Sequence, residues 1–273
     1  LRTRGTKGTV ARSSNPITVE EAGLRRLELV VRNTQTTSPV DEETMMDQKP
    51  KAAGIAALTA AATFLFGIVM FATVLTDYTT GDPTPEESVA FVVDHQAALY
   101  VWNVVIFIIF GIVLVPLVLA LRDRLKARSP AIAQASGAFG LIWAGLVIAA
   151  GMVSNIAIGT VSDLNDTDPA GAETVWSALD SVENGLGGGN EIAGGVWILL
   201  VSWAALKTAV LPRALNYFGL VAGAAGLITV IPALEAVGAV FGIALIVWFV
   251  WVGVLLLKEP APDDQPHSTK RAE

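Results

Sequence analysis

The stretch ALYVWNVVIFIIFGIVLVPLVLALRDRLKAR, Ala98–Arg128, decides how this chain is read. The run Ala98–Leu121 carries no charge, and Arg122, Arg124, Lys126 and Arg128 follow it at once. A helix needs about 20 consecutive apolar residues to cross the hydrocarbon core of a bilayer. Basic residues collect at the cytoplasmic ends of such spans. Outward from this stretch the pattern repeats. Between Ala52 and Leu257 the only other basic residues are Lys207 and Arg213, which flank the turn after the fourth apolar run. The remaining loops hold acids and no Lys or Arg, the alternation expected of a chain that crosses a membrane repeatedly.

Six apolar runs are read as spans: Ala52 to about Thr76, Ala98–Leu121 with Pro116 inside it, Ala133–Val161, Ile192–Leu211, Ala214–Ile231 and Leu234–Leu257. Only helices and closed barrels satisfy every backbone group in lipid, and runs this long without alternation are helices. The expected fold is therefore an all-α polytopic membrane protein. It has six transmembrane helices in residues 51–258, with a short amphipathic helix on the outer face. Lys49 and Lys51 precede the first span, and Lys258 begins a tail that ends with Lys270 and Arg271. Both termini are thus expected in the cytoplasm. The acidic loops Asp77–Asp94 and Asp163–Glu191, and the turn near Pro232 and Glu235, are expected outside. Tyr78, Tyr100 and Trp102 fall near the outer interface, where amphipathic rings are favoured.

The flanks differ from the core. Residues 1–50 are polar and mixed in charge, with Ile17–Val31 able to form one short amphipathic helix, and residues 259–273 read as a disordered cytoplasmic tail. The segment before the first span reads either as a disordered cytoplasmic tail or as translated leader. The second reading rests on Glu42-Glu43-Thr44 ahead of Met45-Met46, since Glu-Glu can be encoded as a ribosome-binding sequence. It places a native start at Met45 or Met46.

Composition narrows the function classes. Of 273 residues 53% are apolar and 16% charged, well below the roughly 25% charged of soluble domains. The formal charge of −7 gives a nucleic-acid partner no electrostatic footprint. The absence of cysteine removes disulfides, thiolate metal sites and thiol nucleophiles. The two histidines, His95 and His267, lie in a loop and in the tail, so no pair inside the membrane could ligate haem. Zinc-protease, phosphate-loop and nucleophile-elbow motifs are all missing. No cofactor is expected, and no enzymatic activity.

Local signals structure the outer loops. Thr84-Pro85-Glu86-Glu87 reads as a helix start of capping-box type, running through Val92 towards the second span. Asp168-Pro169 is a second start, followed by the stripe Val175, Trp176, Leu179 and Val182, with Gly185 as a possible end. Asp163, Asn165, Asp166 and Asp168 offer oxygen ligands but fail the calcium-loop template: its sixth position is not Gly and its twelfth, Thr174, is not Glu. A solvated loop with a helix cap is the expectation there. Pro130 with Gly137 and Pro212 with Gly219 echo one another, which fits either a duplicated hairpin or ordinary helix-turn chemistry.

Two kinds of residue inside the spans invite a role. Gly219-x-x-x-Gly223, with Gly226, and Gly238-x-x-x-Gly242 let helix backbones approach closely. They are expected in packing within the bundle, with a homo-oligomer face or an unidentified membrane partner as the other reading. Gly137, Gly140 and Gly145 are expected to do the same in the third helix. The intramembrane polar residues are few: Asn103, Gln134, Ser154, Asn155, Asn190, Glu191, Ser202 and Asn216. Polar groups in lipid are costly and mark candidate sites. Asn103, Asn155, Asn190 and Glu191 form the candidate outward-facing polar pocket. The plainer reading has Asn190 and Glu191 capping a helix N-terminus, with Asn103 and Asn155 joining helices. Arg122, Arg124, Lys126, Arg128, Lys207 and Arg213 are the topology-determining residues.

Gly188-Gly189-Asn190-Glu191 ahead of Gly195-Val196-Trp197, then Leu211-Pro212-Arg213-Ala214-Leu215 with Gly219 and Gly226, and finally Ile246-Val247-Trp248-Phe249-Val250-Trp251-Val252-Gly253 form a pattern. In it the chain resembles the domain of unknown function 4386 family over roughly residues 46–258. The resemblance implies a six-span prokaryotic integral membrane protein and carries over no catalytic residue. The expected setting is the cytoplasmic membrane, with the lipid bilayer as partner. Two functional readings stay open. One is a non-enzymatic protein that senses, scaffolds or binds a partner in the membrane. The alternative is a small transporter or channel-like protein with an outward-facing pocket near Glu191. The scarcity of ionisable groups at the bilayer midplane favours the first.

Overall fold

A computed structural model describes residues 26, 39–76, 83–188, 191–234 and 237–258. The chain parts into two units, Leu1–Met46 and Asp47–Glu273, and the bundle belongs to the second. Among the described residues every regular element is helical. The protein is an all-α polytopic membrane protein. Five helical stretches are long and apolar enough to cross a membrane, and Arg213–Ile228 is a shorter apolar helix.

Helix α1, Pro39–Thr73, contains Pro50, and its apolar part from Pro50 onward is the first span. Helix α2, Pro85–Asp94, starts as its sequence dictates. Thr84 Oγ1 accepts from the Glu87 backbone N–H at 3.2 Å, and the Glu87 carboxylate accepts from the Thr84 N–H at 2.8 Å. These two bonds satisfy donors that a helix start otherwise leaves orphaned. The expected continuation into the second span is interrupted at His95, whose backbone leaves helical geometry (φ −118°, ψ 20°). The second span is α3, Gln96–Asn103, a π-helical stretch over Val104–Ile109, and α4, Phe110–Lys126. Pro116 sits inside α4 without ending it.

Helix α5, Pro130–Asn165, is longer than the expected Ala133–Val161 run. At 1.5 Å per residue its 36 residues exceed a bilayer core of about 30 Å. The excess forms a cap at the end opposite Arg122–Arg128. There Ala157, Ile158 and Val161 of α5 gather Val89 and Val92 of α2, Leu99 of α3, and Ala172 and Trp176 of α6 into a second apolar cluster. Helix α6, Pro169–Glu183, is the expected amphipathic helix, and its Asp168 side chain accepts from the Gly171 N–H at 3.1 Å. Its α-helical geometry stops at Glu183, just before the expected end at Gly185. A π turn, Asn184–Gly188, carries the chain past Gly185, and the break falls at Gly187 with φ 140°, a conformation that L side chains rarely adopt.

Helices α7, Ile192–Thr208, α8, Arg213–Ile228, and α9, Val237–Lys258, complete the bundle. Pro212 is the N-cap of α8, and Asn216 Nδ2 donates to the Leu211 carbonyl at 3.0 Å across that turn. Helix α5 is the hub, packing on α4, α6 and α7, while α8 lies between α7 and α9. Lipid is as apolar as the core, so close packing has to hold such helices together. The contacts show how. A methyl placed on Gly195 of α7 would lie 2.9 Å from the Gly223 carbonyl oxygen and 3.2 Å from the Gly226 carbonyl carbon. One on Gly140 of α5 would lie 2.7 Å from the Trp197 ring. Gly54 and Gly253 make a comparable crossing of α1 on α9. Around these sites Trp143, Trp197, Trp248, Phe249 and Phe110 form a continuous set of ring contacts, with centroids 5.2–6.0 Å apart among neighbours.

Candidate functional site

The six basic residues cluster in the α4–α5 and α7–α8 connections, and several have structural partners. Arg128 Nη1 donates to the Thr208 carbonyl at 2.6 Å, neutralising a carbonyl at the negative end of α7 and tying the two connections together. The Arg122 methylenes lie over Gly137, Lys126 pairs with Asp123 at 3.0 Å, and Lys207 sits 4.7 Å from the centre of the Trp203 ring. Arg213 begins α8, and Arg124 lies in the last turn of α4.

The polar residues expected in one pocket are separated. Asn103 is buried and donates from Nδ2 to Ser154 Oγ at 2.8 Å and to Asn155 Oδ1 at 3.2 Å. These two bonds fasten α3 to α5, the helix-joining role that was the plainer reading. Asn190 lies outside the described residues. Glu191 precedes the first residue of α7 as its N-cap, and its side chain makes no capping hydrogen bond. Its backbone N–H donates to Thr229 Oγ1 at 3.1 Å, and Thr229 Oγ1 donates in turn to the Gly226 carbonyl at 2.7 Å. The start of α7 is thereby held against the end of α8 by backbone and threonine, which leaves the Glu191 carboxylate for another use.

That use is suggested by a cavity of about 690 Å³. Phe64, Gly67, Ile68, Phe71 and Ala72 of α1 form one wall. Trp102, Ile106, Phe107 and Phe110 form a second, and Trp143 and Val147 of α5 a third. Gly238, Ala239 and Gly242 of α9 close the remaining side, with Gly187 and Glu191 at one edge. Among the described residues Glu191 is the only ionisable one in this lining, and neither Asn103 nor Asn155 belongs to it. Ile68 is 45% exposed, so the cavity opens on the flank of the bundle, where the surroundings are lipid. Aromatic edges meet around it: Phe64 on Phe110 at 4.9 Å, Phe71 on Trp102 at 5.0 Å, and Trp102 on Phe107 at 5.6 Å. The Trp102 indole N–H is buried without a hydrogen-bond partner among the described residues.

The glycine pairs divide between two roles. Gly219 and Gly223 make tight contacts, the first against Ser202 and Trp248 and the second against Ile198 and Leu199. Gly238 and Gly242, expected at a helix contact, have only ordinary distances to Thr229 (3.6 Å) and Phe64 (3.8 Å) and line the cavity instead. Helices α1 and α9 touch at Gly54 and Gly253, and the cavity lies where residues 64–72 of α1 face residues 238–242 of α9.

The aromatic lining was not picked out from the sequence, although a signal for it exists. Phe64, Gly67, Ile68, Phe71 and Ala72 recur at i, i+3, i+4, i+7 and i+8, and Trp102, Ile106 and Phe110 at intervals of four. In a helix that is apolar all round, such a stripe is hidden among equally apolar neighbours.

A second cleft, about 500 Å³, lies between α2 and α6, lined by Pro83, Pro85, Ser88, Trp176, Ser177, Asp180, Ser181 and Asn184. Asn184 donates to the Asp180 carboxylate at 3.1 Å there. The family profile described as "Domain of unknown function (DUF4386)" matches residues 52–258. No curated protein and no solved structure matches the chain.

Proposed function

We propose, for a chain that belongs to the domain of unknown function 4386 family, a non-enzymatic role: binding of an apolar molecule taken laterally from the bilayer. The observation that carries this reading is the flank-opening cavity of about 690 Å³, within the roughly 300–1,000 Å³ typical of small-molecule sites. The sixteen described lining residues carry a single ionisable group, which suits a ligand that already resides in lipid. Elsewhere the bundle holds a densely packed aromatic core. Trp197, Trp248, Phe241, Phe249 and Leu245 are fully buried in one another. Asn103, Ser154 and Asn155 are used in joining helices. Binding followed by sensing or presentation to a partner therefore fits better than passage through the bundle. The charge pattern supports the cytoplasmic membrane as the setting, with both ends of the bundle in the cytoplasm and the α2–α6 cap outside.

Native mass spectrometry of the full chain released from detergent tests this. Gly242→Leu is the matched variant, because a side chain at Gly242 meets only Phe64, at 3.8 Å, and projects into the cavity. The native chain is expected to retain one apolar molecule that Gly242→Leu loses. Equal retention by both proteins would overturn the reading.

A further inference from the structure

We infer that the molecule this cavity accepts is a lipophilic monocation, an apolar body carrying one amine, ammonium or phosphonium charge. The inference rests on the reading of the cavity as a binding site and adds the charge and class of its occupant. Two observations converge on it.

The first is charge. Among the described residues Glu191 is the one ionisable group in the lining, and its carboxylate has no hydrogen-bond or ion-pair partner there. A carboxylate in apolar surroundings is costly unless it is paired. Among the described residues the fold supplies no cation nearby, because Lys51, Lys258 and the basic residues of the α4–α5 and α7–α8 connections lie at its opposite end. A single positive charge on the occupant completes the pair.

The second is the wall. Phe64, Phe71, Trp102, Phe107, Phe110 and Trp143 surround the same space. Ring faces attract cations, most strongly where water is excluded, and cages of such rings are a general solution for quaternary ammonium groups. An anion would meet both the carboxylate and the negative ring faces.

Tetraphenylphosphonium and tetraphenylborate share one shape and differ in the sign of the charge. Binding of each to the full chain is measured by equilibrium dialysis in nanodiscs of zwitterionic lipid. Native protein, Glu191→Gln, Glu191→Asp and Gly242→Leu are compared, each first shown to be helical and monodisperse. The expected result is saturable phosphonium binding by the native chain. It should weaken at least tenfold in Glu191→Gln, recover in part in Glu191→Asp, disappear in Gly242→Leu, and have no counterpart with borate. Phosphonium binding that Glu191→Gln leaves unchanged, or equal binding of borate, overturns the inference. If the apolar molecule seen by mass spectrometry is nevertheless lost in Gly242→Leu, the cavity reading survives and only the cation falls. If Gly242→Leu alters neither measurement, both fall.

Discussion

At the scale of single residues, the family motifs are explained by packing. Gly195 and Trp197 follow Glu191 closely in sequence, yet they do separate jobs: Gly195 lets α8 approach, and Trp197 fills the space over Gly140. The atoms facing Gly195 are all backbone, so they cannot rotate away. Gly195→Ala is expected to destabilise the protein by about 1–3 kcal/mol, the usual cost of overpacking a tight contact. Gly145→Ala, where nothing lies within 4 Å of the added methyl, is expected to be neutral or to stabilise by up to about 1 kcal/mol through helix propensity. Equilibrium unfolding of both variants in mixed micelles checks the pair, and a similar loss in each would refute the contact. Ala209 offers a gain instead. It is exposed and holds a left-handed backbone at φ 54° where α7 ends. Ala209→Gly removes that strain and should raise stability by about 1 kcal/mol in the same assay.

Among elements, α2 shows how a local motif becomes a pH-sensitive feature. The Glu87 carboxylate accepts from the Thr84 backbone and side chain, which lowers its pKa below the ordinary value. A lowered folded-state pKa means that the ionised form is favoured by folding. The contribution is therefore fully present above the unfolded pKa of about 4.3, and it is lost as pH falls through the folded value. Hydrogen exchange of α2 amides is expected to quicken, relative to α5, as pH drops below about 4, and Glu87→Gln should abolish that relative change. The capping box was legible in Thr84-Pro85-Glu86-Glu87 because all its partners lie within four residues. The interruption at His95 and the π stretch at Val104–Ile109 were not legible. Both depend on how α2 and α3 must turn to pack on the protruding end of α5 and to place Trp102 and Phe107 on the cavity wall.

Across the whole molecule, the connections between the apolar helices alternate between acidic and basic, and the absence of cysteine in the sequence makes the proposed topology testable without background. Ser177→Cys lies on α6 in the cap, and Ala127→Cys follows α4 among the basic residues; both positions are exposed. In intact cells a membrane-impermeant maleimide is expected to label Ser177→Cys and to spare Ala127→Cys until the membrane is opened. The reverse pattern would invert the proposed orientation. The same global view explains the cavity. Helices α1, the second span, α5 and α9 all contribute to its wall, so the cavity belongs to the bundle rather than to any one segment.

Hydrophobic runs and loop charges by themselves determined that the protein is helical, that it spans a membrane, and roughly where each span lies. Lipid imposes those features one segment at a time: each helix must satisfy its own backbone, and each connection carries its own charge. Tertiary structure alone decided which polar residues meet. Asn103 and Asn155, set beside Glu191 on sequence grounds, bond to each other, whereas Glu191 joins six aromatic rings from α1, the second span and α5. Gly238 and Gly242, legible as small residues, became cavity wall instead of helix contact. Those outcomes depend on helix rotation and crossing, which packing between distant segments sets, and in uniformly apolar helices no local pattern records it.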